Sequence, residues 1–354
     1  MSQKIGITAL GTVSPYGIGT EKFAKGCQNS PGYPMADLEP VSPEWGTGKQ
    51  GAMIPPYDHK EYLGRKGLRN LDRVTLNLST AVELIHTSLG FDVLEKRRQW
   101  FADDDVSIVL GTTGSVQSIA DFDLQTVATP RFVQPGLFPN TVFNAPASYT
   151  AIRRSIKASC ITVTNGDPSS LDAVRIGANQ LASGRVRLAF AAGATEMTPW
   201  HIALCTASGA EFSALSEGAL VLSLENVDDA GQRGAPVLGT VGAMTSLFSP
   251  EPVPAVTEAL RRLKTEAPED YQAVTHIYTN REDILGKING FSDCKVMNPE
   301  ERFGYMGPLF GITALAAALV EESIPPGAKM MILNVGQGGN LTAGLFGKGK
   351  EKAA

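Results

Sequence analysis

The chain opens on a strand pattern. "KIGITALGTVSPYGIG" keeps small and apolar side chains together until it breaks at Gly11 and at Ser14-Pro15, which predicts a buried strand followed by a loop. From there to about residue 60 the chain is rich in Pro, Gly and Tyr and reads as surface loop. Apolar positions then recur at helical spacing in "LDRVTLNLSTAVELIHTSL", and "VSIVLGTTG" from Val106 is a short apolar strand ending in a turn. "SCITVTNGD", "RVRLAFAAGATEM" and "GALVLSLEN" are further apolar strands, with a helix starting near Pro168 between the first two. Strands this apolar, alternating with helices, predict a largely parallel sheet covered on both faces.

After Glu225-Asn226 the pattern starts again. A strand "APVLGTVGA", a helix "PAVTEALRRLKTEA", a strand "AVTHIYTN", a helix "GITALAAALVEE" and the strands "MMILNVG" and "LTAGLFG" follow in order. The expectation is two similar α/β halves, residues 1–226 and 227–354, with "GKGKEKAA" as a frayed tail.

Composition narrows the function classes. Hydrophobic residues at 43% and charged ones at 19% of 354 are the balance of a globular protein with a large core. A formal charge of -5 argues against bulk nucleic-acid binding, although Lys96, Arg97 and Arg98, and Arg153, Arg154 and Lys157, form local basic clusters. Cys27, Cys160, Cys205 and Cys294 lie far apart, with no Cys-x-x-Cys pair and no His at ligand spacing, so no metal is expected. His59, His86, His201 and His276 are scattered and receive no chemistry. The N-terminus enters a strand without a secretory apolar core and no run reaches membrane-spanning length, which points to a soluble, cytoplasmic protein.

One stretch stands out, "ITVTNGDPSSLDAVRIGANQLASGRVRLAFAAGATEM". A strand stops at a Gly-Asp-Pro turn, and a helix begins whose polar stripe is only Asp172, Arg175, Asn179 and Gln180, so it is expected to be buried on most sides. Asp before Pro is an ordinary helix start, with the carboxylate as N-cap near the positive end of the helix dipole.

The strand, turn and buried helix resemble the nucleophile region of the β-ketoacyl synthases of the thiolase fold, which read Thr-Ala-Cys-Ala-Ser-Gly here. The match puts Asp167 where the Cys nucleophile belongs, with Ala192-Gly193-Ala194-Thr195-Glu196 closing the next strand. "FPNTVFNAPASYTAI", "SEGALVLSLEN" and "LNVGQGGNLTAGLF" resemble three further segments of the family, in the right order. The chemistry does not follow. The positions of the two catalytic histidines hold Asn280 and Tyr305, that of the lysine holds Glu300, and Gln337 replaces the gatekeeper Phe.

The resemblance implies a five-layered α-β-α-β-α thiolase fold and, with Cys, His, His and Lys all replaced, no catalytic residue. Such chains are similar to the chain length factors, or ketosynthase β subunits, of type II polyketide synthases. The implied partners are a ketosynthase α subunit in a heterodimer, an acyl carrier protein through that complex, and the growing polyketide in an interface tunnel; no cofactor, nucleic acid or membrane is implied. The family's tunnel residues carry over to Val116, Gln117, Ile119 and Phe122, although Ile119 and Phe122 at i, i+3 spacing also suit core or interface packing. Two alternatives stay open, a thiolase-fold acyltransferase or hydrolase using Asp167, Ser169 or Tyr305, and a purely structural homodimer.

Overall fold

The computed structural model describes residues 4–39, 49–209, 212, 214–286 and 291–349. Its ten principal strands fall into two sets of five. The first set is β1 (Ile5–Ser14), β2 (Val106–Thr112), β3 (Cys160–Val163), β4 (Leu188–Thr195) and β5 (Gly218–Asn226). The second is β6 (Gly239–Phe248), β7 (Val274–Thr279), β8 (Lys295–Met297), β9 (Lys329–Val335) and β10 (Asn340–Lys348). Their spatial order is β3-β2-β4-β5-β1 and β8-β7-β9-β10-β6, the same order with the same senses. The two sheets join where Ile5–Ile7 of β1 pairs antiparallel with Gly239–Val241 of β6.

The sheet is mixed, not largely parallel. Pairing is parallel only toward the outer edges, β2 with β3 and β4, and β7 with β8 and β9. The inner pairs β1·β5, β4·β5, β6·β10 and β9·β10 are antiparallel. Central strands buried on both faces are apolar throughout whichever way they run, so apolarity reports burial and not direction.

Among the described residues eight helices of nine or more residues complete the layers: α1 (Thr20–Asn29), α2 (Arg73–Ser88), α3 (Val116–Ala128), α4 (Ala145–Arg153), α5 (Ser169–Ala182), α6 (Pro199–Ala207), α7 (Pro252–Glu266) and α8 (Phe310–Val320). α5 and α8 lie between the sheets, where Leu171, Val174 and Leu181 pack with Phe310, Ile312 and Leu315 in one core. α2 and α4 cover the outer face of the first sheet and α7 that of the second, each with its own core. The result is the α-β-α-β-α arrangement. Every residue of α8 is buried, as an all-round apolar helix requires.

Two features differ from the sequence reading. The loop expected from Ser14 to about 60 contains α1, whose apolar anchors are only Phe23 and Cys27. The tail begins later than expected, because Gly347 and Lys348 complete β10; residues 350–354 lie outside the described residues.

Glycine sets how closely α5 approaches its neighbours. A Cβ on Gly111 of β2 would sit 2.3 Å from the Ser169 and Ser170 backbone, and one on Gly311 of α8 would sit 2.6 Å from Leu171 Cβ. The first turn of α5 is therefore pressed into the centre of the molecule.

Candidate functional site

The turn after β3 reverses at Gly166, whose φ of +69° favours glycine. Ser169 then organises the start of α5: its hydroxyl donates to the Gly166 carbonyl at 2.6 Å and accepts from the Asn165 N–H at 2.8 Å. Asp167 does not cap the helix. The residue before α5 is Pro168, in helical conformation, and no side chain caps it. Tertiary partners take Asp167 instead. The Tyr305 hydroxyl donates to its Oδ1 at 2.7 Å, the Asn334 amide donates to its carbonyl at 2.7 Å, and the Gln337 N–H donates to its carboxylate.

The polar stripe of α5 is also used internally. Asp172 is buried, accepting from Thr342 Oγ1 at 2.9 Å and from the Asn165 amide at 2.8 Å. Gln180 accepts from Ser107 at 2.7 Å and donates to Ser159 at 2.8 Å, tying the helix to β2 and the start of β3.

Electrostatically the site is a buried cluster of acidic groups. Burial raises the pKa of Asp167, opposed by the Tyr305 hydroxyl and the Gln337 N–H. Glu300, on the short helix Pro299–Phe303, is pushed up to about 8, first by burial and then by the Asp167 charge. Its Oε1 is buried without a hydrogen-bond partner. Tyr305 is raised by burial and by Asp167, so the phenol stays protonated and remains a donor. Cys205, on α6, is pushed up to about 12 by burial and by the same carboxylate. Phe212 stacks on Tyr305 with ring centroids 6.0 Å apart.

Four of the five expected degenerate positions meet here: Asp167, Glu300 and Tyr305 through side chains, Gln337 through its backbone while its side chain is exposed. Asn280 is linked through β9. Its amide donates to the Val335 carbonyl at 2.9 Å and accepts from the Val335 N–H at 3.0 Å, next to the Asn334 that holds Asp167. Among the described residues no group of three or more His, Cys, Asp and Glu is placed to hold a metal ion.

Val116, Gln117, Ile119 and Phe122 lie on α3, all half-buried, on a helix with no buried residue. The buried Glu196 at the end of β4 holds the start of this helix, accepting from the Gln117 N–H at 2.8 Å. The Gln117 side chain is engaged with Asp121 at 2.8 Å, and Phe122 meets Phe138 with ring centroids 5.6 Å apart. α6 packs against α3 and carries Cys205 toward Asp167, so it spans the two candidate regions.

The basic clusters do not form an open cationic face. Arg97 is fully buried, and Asp103 pairs with Arg97 at 2.5 Å, Arg98 at 2.9 Å and Lys157 at 3.0 Å. Arg154 pairs with Glu83 at 3.5 Å, and Arg153 donates to the Leu63 and Lys66 carbonyls. Sequence reasoning missed Cys205, Phe212 and Asn334 as site residues. Only Asn334 carried a signal, its place in the "LNVGQGG" segment.

No protein-family model and no curated protein sequence matches this chain. Solved structures do. The ishigamide ketosynthase/chain length factor matches with a TM-score of 0.82 at 23% identity, over 98% of this chain and 99% of that one. A type II PKS acyl-carrier protein in complex with its ketosynthase bound to the hexaketide matches with a TM-score of 0.83 at 14% identity, over 98% and 100%. A β-ketoacyl synthase from Burkholderia phymatum STM815 gives 0.82 at 17% identity, over 98% and 99%. Over essentially its whole length the chain has the thiolase fold of the ketosynthases.

Proposed function

We propose that the chain is a catalytically silent ketosynthase-like subunit of a type II polyketide synthase. It pairs with an active ketosynthase α subunit, shapes the tunnel that holds the growing polyketide, and so limits chain length, with an acyl carrier protein serving the complex. The observation that carries this reading is the occupant of the nucleophile position, Asp167, engaged by Tyr305, Asn334 and the Gln337 amide. Condensation needs a nucleophile that forms and releases a thioester, and donors that stabilise an enolate oxygen. A buried carboxylate has neither thiolate nucleophilicity nor a stable thioester product. Cys205 is no substitute, because a thiol at about 12 is thiolate in only about one molecule in 10⁵ at neutral pH.

The partners are motivated by the solved neighbours, a ketosynthase/chain length factor and a type II PKS acyl-carrier protein in complex with its ketosynthase. An acyltransferase or hydrolase built on Asp167 would need a nearby base. Tyr305 donates to that carboxylate and is held protonated, so it is not that base.

The test is reconstitution with a type II ketosynthase and its carrier. Asp167→Asn and Asp167→Ala should pair normally and leave product yield within about twofold, while replacing the ketosynthase's own nucleophile abolishes it. Loss of product in both folded, paired variants, or product made by this chain alone, sinks the silent-subunit reading.

A further inference from the structure

A cavity of about 500 Å³ lies at the β8 edge of the second sheet, bounded by β7, β8, the short helix Pro299–Phe303 and the end of α8. It is separate from the Asp167 cluster. Glu300 of the short helix belongs to that cluster, whereas Glu301 and Arg302 line the cavity. Val296, Met297 and the buried Phe303 supply apolar wall. The charges of the lining are three carboxylates, Glu282, Glu301 and Glu321, and one guanidinium, Arg302. Arg302 is already committed: its Nη2 donates to the Cys27 carbonyl and to the Ser30 carbonyl at 2.8 Å, at the end of α1, and its Nη1 lies 3.6 Å from Glu321 Oε2. Glu321 Oε1 accepts from Ser323 Oγ at 3.2 Å, and Asn298 Oδ1 accepts from the Glu300 N–H at 3.0 Å. Lys348, outside the lining, donates to the Glu321 main-chain carbonyl. An excess of negative charge remains, which disfavours anions and attracts cations.

The second observation is Tyr278 of β7, which lines the cavity and is only 5% exposed. Its hydroxyl has no hydrogen-bond partner among the described residues, yet it is not one of the polar atoms sealed away from solvent. Burial raises its pKa, as do the charges of Glu321 and Cys27, while Arg302 opposes them; the phenol therefore stays protonated and sits beside the Glu321 and Arg302 side of the lining. A largely buried hydroxyl without a partner is uncommon, because burial removes the hydrogen bonds that bulk water would make.

We infer that this cavity binds a small organic ammonium ion, with its N–H donors on the Glu321 carboxylate and the Tyr278 oxygen and its carbon body on Val296, Met297 and Phe303. The carboxylates select a cation, the phenol oxygen accepts a further N–H, and the apolar wall covers carbon that a bare metal ion lacks. The volume is that of a site for a small molecule.

The purified full chain is titrated calorimetrically at pH 7 with 2-phenylethylamine, a cation at that pH, and with 2-phenylethanol, alike in size but neutral. The amine should bind at least about tenfold tighter. Glu321→Gln should weaken the amine at least about fivefold. Tyr278→Phe removes only the hydroxyl and should weaken it at least about threefold, while the melting temperature of the unliganded chain stays unchanged because no protein group loses a bond. Glu61→Gln, at an exposed acid that does not line the cavity, should change nothing. Equal affinity for the two probes, no binding of the amine, or an amine affinity unmoved by both cavity variants overturns the inference. So does an equal loss in Glu61→Gln, which would report attraction to a negatively charged chain and not to this cavity. If Glu321→Gln does not fold, Tyr278→Phe decides alone. No carrier or ketosynthase enters the titration, so its failure leaves the chain-length reading standing.

Discussion

Glu300 makes the acid cluster around Asp167 sensitive to pH in a definite direction. Its carboxyl is raised from the ordinary 4.5 to about 8 in the folded chain, so between those values the native state holds a proton that the unfolded chain has released. Folding stability therefore falls as pH rises through this window, by about 1.4 kcal/mol per unit from this group, and levels off above about 8. Glu300→Gln should raise the melting temperature at pH 8.5 and change it little near pH 4.5. A variant no more stable than the parent at pH 8.5 would remove the buried-acid account. Tyr305→Phe tests the other side of the cluster. It leaves the Asp167 carboxylate with the Gln337 N–H and should cost about 1–3 kcal/mol in denaturant unfolding, a loss that the additional substitution Asp167→Asn partly recovers. At this scale the sequence named residues that lie together but not the contacts they make. "DPSS" is a good cap locally, yet Tyr305, 138 positions away, captures the carboxylate, and nothing in the spacing of Cys205 or Phe212 announces that they arrive beside it.

Elements were legible where their burial is broad and obscure where it is narrow. α2, with ten buried residues, shows its period plainly, whereas α1 buries only Phe23 and Cys27 and hides among glycines and tyrosines. Strand direction was misread because it is set by which strands neighbour one another, which no single strand's composition records. Helix α5 owes its position to close backbone contact, and that can be broken at one atom. Gly111→Ala places a methyl group 2.3 Å from the Ser169 and Ser170 backbone, which has no side-chain freedom to yield. A loss of about 1–3 kcal/mol in equilibrium unfolding is expected, with no comparable effect from Gly231→Ala, where an added Cβ meets nothing within 4 Å and φ is not positive. On α3, Phe122→Ala removes the ring that meets Phe138. In the reconstituted complex it should shift products toward longer chains, and unchanged lengths across Val116, Gln117, Ile119 and Phe122 substitutions would take α3 out of the tunnel.

The repeated order β3-β2-β4-β5-β1 and β8-β7-β9-β10-β6 explains why the pattern restarts after Asn226, and why α5 and α8 occupy equivalent places between the sheets. The halves differ in what they leave uncovered. Along the stretch from α3 through α4, Val127, Phe132, Phe138 and Ile152 are 83%, 77%, 56% and 75% exposed, and the half-exposed strand β3 ends the first sheet close by. Large apolar side chains concentrated in one segment mark an interaction surface more often than a solvated one. In the pair proposed above this is the face assigned to the ketosynthase, and its apolar character should make the isolated chain prone to self-association. Val127→Glu with Ile152→Glu should leave the melting temperature nearly unchanged, since neither side chain packs in the core. It should sharpen the isolated chain to a monomer on size-exclusion chromatography and abolish co-elution with the ketosynthase. A double variant that still co-elutes would place the partner on another face, and the exposed apolar stretch would then need a different occupant.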